Sequence, residues 1–138
     1  MRVAVLALAL IALAACKEDA AQTPADPLAL IGTGTEWTIT EIAGAAVPEG
    51  VRVTLLSPEP GMIAGTSGCN RYAGRIETRE GALHVGALAG TRMMCPPAQM
   101  QVEQAFHSTI GAVTALRLTG PALDFTDAAG QVILRASR

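Results

Sequence analysis

The chain has 138 residues, half of them hydrophobic, and 10 basic against 12 acidic side chains for a net charge of −2. That length suits one domain with a single core, and the mild acidity offers no basic footprint for nucleic acid. Trp37, Tyr72, Phe106 and Phe125 are the only aromatics, so the core is expected to rest on Val, Leu, Ile, Met and Ala.

Reading from the start, Arg2 precedes an uninterrupted apolar run of 13 residues, Val3 to Ala15. This suits a signal sequence and falls below the roughly 20 residues that span a bilayer. Leu13-Ala14-Ala15-Cys16 resembles the lipobox of bacterial lipoproteins. The resemblance implies cleavage before Cys16, acylation of that cysteine, and membrane attachment through it. Residues 1–15 are then a signal peptide, and residues 16–34, rich in Ala, Thr, Asp and Pro, a lipidated cysteine and flexible tether. Residues 35–138 form the domain. Lys17 stands where an aspartate would favour inner-membrane retention, which leans the expected location to the outer membrane, facing the periplasm.

Three cysteines are an odd number for an exported protein. If Cys16 carries lipid, Cys69 and Cys95 remain as one pair in an oxidising compartment. A bond between them would restrict the unfolded chain by about 3.5 kcal/mol in the chain-entropy model.

From Trp37 the pattern becomes short and alternating. Trp37 and Ile39 oppose Thr38 and Thr40, and Val51 to Leu55 repeats the two-residue period of a half-buried strand. Pro58 to Gly61 reads as a turn and Met62 to Thr66 as a strand. Arg71 to Arg79 alternates again, and Glu80-Gly81 makes a tight connection into Ala82 to Val85. Between Ala98 and Val113, Val102, Phe106, Ile110 and Val113 recur at helical spacing, after Pro96-Pro97. Ala115–Leu118, Ala122–Thr126 and Gln131–Arg135 predict an antiparallel meander. The expected class is α+β: mainly antiparallel β, a small barrel- or sandwich-like sheet, with one helix packed on it.

Gly68-Cys69-Asn70-Arg71-Tyr72-Ala73-Gly74, then Thr91-Arg92-Met93-Met94-Cys95 before the helix, resembles the META domain family, which includes HslJ-like heat-shock proteins. Gly68, Cys69, Asn70, Tyr72, Gly74, Thr91, Met94 and Cys95 carry the likeness, which covers about residues 35–136. It implies a small β domain with a helix, no established enzymatic activity, and an association with stress and drug tolerance.

The residues themselves favour architecture over chemistry. Gly65, Gly68 and Gly74 suit close backbone approaches, and Asn70 can hold a turn. A nucleophilic Cys69 would need His84 or His107 as base. Cys69, His84, Cys95 and His107 lack the short paired spacings of a compact zinc site. Ser67 is not in a nucleophile elbow, because Cys69 stands where the last glycine belongs. His107 is expected in an exposed pair with Glu103, and His84 and Asp124 on outward strand positions. Arg71, Arg75 and Arg79 share one strand face and form a candidate surface for an anionic ligand. The expectation is a monomeric, non-enzymatic binding or structural module without metal or cofactor. Its partner is an unknown envelope protein or ligand. A protease-inhibitor-like module and a thiol-dependent enzyme using Cys69 are the alternatives.

Overall fold

Ten strands make one curled antiparallel sheet in the computed structural model, which describes residues 26–138. The first half supplies β1 (Glu36–Ile42), β2 (Ala45–Ala46), β3 (Thr54–Leu56), β4 (Met62–Thr66) and β5 (Arg71–Arg79). Then come β6 (Ala82–Val85), β7 (Ala89–Gly90), helix α1 (Pro97–Ile110), β8 (Ala115–Thr119), β9 (Ala122–Thr126) and β10 (Val132–Ser137). The sheet runs β6-β5-β4-β3-β1-β10-β9-β8, with β2 added to β1 and β7 to β5. Its two ends are not paired as strands, but the Leu83 amide donates to the Thr114 carbonyl at 2.8 Å where they meet. The α+β expectation holds.

Local chemistry explains the strand boundaries. Glu80 and Gly81 both have positive φ (51° and 81°), as the tight turn joining right-twisted strands requires. β5 and β6 therefore pair from Arg79 and Ala82 inward. The meander β8-β9-β10 follows the expected order, its second turn held by Asp127 Oδ1, which accepts from the Ala129 and Gln131 amides at 2.9 Å. Helix α1 starts at Pro97, where the missing amide costs nothing. It buries Val102, Phe106 and Ile110. Val113 is buried too, but beyond the helix end.

Three expectations need revision. The tether was expected to reach residue 34, yet Pro27–Leu30 form a 3₁₀ turn and Ile31 is buried. The Trp37 indole donates to the Ile31 carbonyl at 2.7 Å, so burying the tryptophan requires this segment to dock. A docked turn this short leaves no periodic trace. The signal peptide, Cys16, Lys17 and the tether up to residue 25 lie outside the described residues.

Methionine was expected in the core, but among the described residues no methionine is buried, whereas all four aromatics are.

Asp124 was expected to face outward, and its strand position does. It is nevertheless completely buried. Arg117 on β8 and Arg135 on β10 are its register partners, and their long side chains cover it. Arg135 Nε donates to Asp124 Oδ1 at 2.7 Å, Thr119 Oγ1 to Oδ2 at 2.9 Å, and Arg117 lies 3.6 Å away. Glu41 of β1 continues the row, 3.6 Å from Arg135. The Arg135 hydrogen bond holds the Asp124 carboxyl below the ordinary carboxylate range against the opposing effect of burial.

Candidate functional site

Most of the sequence motif converges on one end of β4 and β5. The loop between these strands carries Gly68, Cys69 and Asn70 and meets both the segment before α1 and the helix itself. Asn70 is buried and makes the central contacts. Its Oδ1 accepts from the Met93 amide at 2.6 Å and from Thr91 Oγ1 at 2.9 Å. Its Nδ2 donates to the Met93 carbonyl at 3.2 Å and to Glu103 Oε1 at 3.0 Å. Glu103 also accepts from the Asn70 backbone amide at 3.1 Å. Thr91 Oγ1 in turn accepts from the Arg71 amide at 3.2 Å. A disulfide joins Cys69 to Cys95, with Cα atoms 5.9 Å apart. One asparagine, one carboxylate and one covalent bond thus clasp loop, segment and helix together.

The glycines make that approach possible. A Cβ on Gly68, which has φ of +114°, would lie 2.9 Å from the Gln99 carbonyl oxygen of α1. A Cβ on Gly65 would lie 2.0 Å from the Thr54 carbonyl oxygen. Tyr72 packs on Phe106, ring centroids 4.9 Å apart, and donates its hydroxyl to the Thr54 carbonyl at 2.8 Å. Burial pushes its phenol well above the ordinary value.

The expected exposed pair of His107 and Glu103 is instead part of the clasp. Glu103 is largely covered, because its carboxylate satisfies two donors of Asn70. Its nearest oxygen is 3.9 Å from His107 Nε2, and the same nitrogen lies 3.3 Å from Ser67 Oγ. Sequence reasoning missed this grouping. The pairing of Asn70 with a residue 33 positions away leaves no local pattern. Nor do the three side chains form a proton relay. A relay uses both imidazole nitrogens, whereas here one nitrogen faces both partners. Ser67 is also fully buried and donates to the Asn70 carbonyl at 3.0 Å.

His84 is exposed opposite Glu77 on the β5–β6 hairpin, toward the far end of β5 from Cys69. The four residues weighed as zinc ligands are therefore not brought together. Among the described residues, no three His, Cys, Asp or Glu side chains group as metal ligands. Arg71, Arg75 and Arg79 do share the outer face of β5 and are exposed. Arg79 is neutralised by an ion pair with Glu77. No ion pair forms at Arg71 or Arg75 among the described residues.

A cleft of about 530 Å³ opens beside the clasp. Asn70 and Glu103 line it together with Met93, Met94, Met100 and His107. Met93 and Met94 are strongly exposed, at 55% and 88%. The first described residues lie toward the opposite end of the same strands, where Asp26 and Leu28 border a second cleft together with Gly61, Ile76, Glu77 and Gly81.

A curled antiparallel sheet, closed at one end by a disulfide-bearing helix clasp, defines the class of domain. The META domain family model matches residues 28–138. The chain belongs to the META domain family. A protein from Burkholderia xenovorans, with a structure determined by NMR, is 31% identical and superposes with a TM-score of 0.60, over 82% of this chain and 88% of that one. A second NMR structure is 25% identical with a TM-score of 0.56, over 74% of this chain and 86% of the other. No curated protein matches the chain.

Proposed function

We propose that this META domain protein is a lipid-anchored, non-enzymatic module of the bacterial envelope, on the periplasmic side of the outer membrane. It offers the cleft beside the clasp to a ligand or partner, in a role tied to envelope stress or drug tolerance. The observation that carries this reading is the placement of the two ends. The chain comes in at the Gly61 and Gly81 end of β4 and β5, while the cleft opens at the Asn70 end. A domain tethered through Cys16 would then hold its cleft away from the bilayer. The bonded state of Cys69 speaks against a nucleophilic thiol, because the thiolate is the reactive form. The hydrogen bonds of Asn70 and Glu103 are likewise committed to holding the backbone.

Growth with an alkyne-bearing palmitate, followed by membrane fractionation, tests the anchor. The wild-type protein is expected to take up label and sediment with outer membranes, and Cys16→Ser to take up none. Unlabelled wild-type protein in the soluble fraction would contradict the reading.

A further inference from the structure

Three of the five methionines in the chain line one cleft. Methionine ordinarily fills gaps in cores, yet none fills this core. Met93 and Met94 stand on the segment that Asn70 and the disulfide pin from below. Met100 faces them from the first turns of α1, and His107 follows two turns further along the same helix face. Asn70 holds the Met93 backbone at both its amide and its carbonyl, while each thioether keeps its three rotatable bonds.

We propose that this cleft binds a soft monovalent cation, Cu(I) or Ag(I), through the thioethers of Met93, Met94 and Met100, with the His107 imidazole as a further donor. Thioether and imidazole are the ligand types that favour Cu(I) over the harder Mg²⁺, Ca²⁺ and Mn²⁺. A thioether carries no proton to lose, so the sulfur ligands serve across the physiological pH range. The Glu103 carboxylate beside them adds negative charge that favours a cation. This inference rests on the cleft being the binding face but not on the lipid anchor, so failure to bind metal would leave the palmitate result standing.

The test uses the full chain in detergent with its disulfide intact. In competition with bicinchoninate, the wild-type protein is expected to withdraw one Cu(I) per chain. The triple variant Met93→Leu, Met94→Leu, Met100→Leu is expected to withdraw none. Leucine preserves apolar volume, so retained binding by the variant would overturn thioether ligation, and an unchanged urea midpoint shows that the variant is folded. On titration with Ag(I), the methyl resonances of Met93, Met94 and Met100 are expected to shift, while Met62, outside the cleft on β4, stays in place. No withdrawal of Cu(I) by the wild type, or an equal shift at Met62, would overturn the proposal.

Discussion

At the scale of single residues, two buried polar side chains hold parts of the chain that apolar packing alone would leave unregistered. Asn70→Ala strips four partners at once: the Met93 amide and carbonyl, Thr91 and Glu103. It leaves the largely covered Glu103 carboxylate with only the backbone amide of residue 70 as a donor from this loop, and the expected loss is about 3 kcal/mol in urea unfolding. Asp124 holds the β8-β9-β10 meander. Its folded-state pKa lies below the unfolded value, so its contribution is complete above the unfolded pKa of about 4 and is lost as pH falls through the folded value. Asp124→Asn should cost about 2–3 kcal/mol at pH 7. The gap between variant and wild type should close in acid, which unfolding midpoints measured from pH 7 down to pH 2 would reveal. A gap constant across that range would contradict the ion-paired description.

At the scale of elements, close approach decides more than propensity. Gly65→Ala drives a methyl into the Thr54 carbonyl, backbone against backbone, and is expected to cost about 3 kcal/mol or more or to prevent folding. Gly81→Ala has open space and suffers only from its positive φ, so about 1 kcal/mol is expected. Equal midpoints for the two variants would remove close strand packing as the reason for Gly65. The strands and helix themselves were legible because each declares its period within a few residues: Trp37 and Ile39 inward, Val102, Phe106 and Ile110 on one helical face. The cover over Asp124 was not legible, since alternation shows which way a side chain points and not what a neighbouring arginine lays across it. The docking of Pro27–Leu30 escaped for a related reason. Its docking shows only in the folded chain, as the packing of Leu28, Leu30 and Ile31 on the core and the hydrogen bond from Trp37 to the Ile31 carbonyl.

At the scale of the whole molecule, the described residues organise into an entry end, near Asp26 and Gly81, and a clasped end, at Asn70. Phe106 and Tyr72 carry the core into the clasp, and the disulfide ties the β4–β5 loop to the segment that leads into the helix. Replacing both Cys69 and Cys95 with alanine is expected to cost about 3.5 kcal/mol and to loosen the Met93–Met94 segment first, a change visible as faster amide exchange there than in β9. The motif residues could be picked out in the sequence as a set, but their geometry could not. Cys69 and Cys95 are 26 positions apart, and Glu103 joins them only through the way the helix lies. The claim on which the rest depends is that the downstream sulfurs brace the fold and take no part in reactions. It is tested most directly by intact mass of protein from its native host, unfolded and alkylated first without and then with reductant. The account predicts an acylated chain that takes up no alkyl group before reduction and two after it, whereas alkylation of Cys69 or Cys95 in the unreduced protein would contradict it.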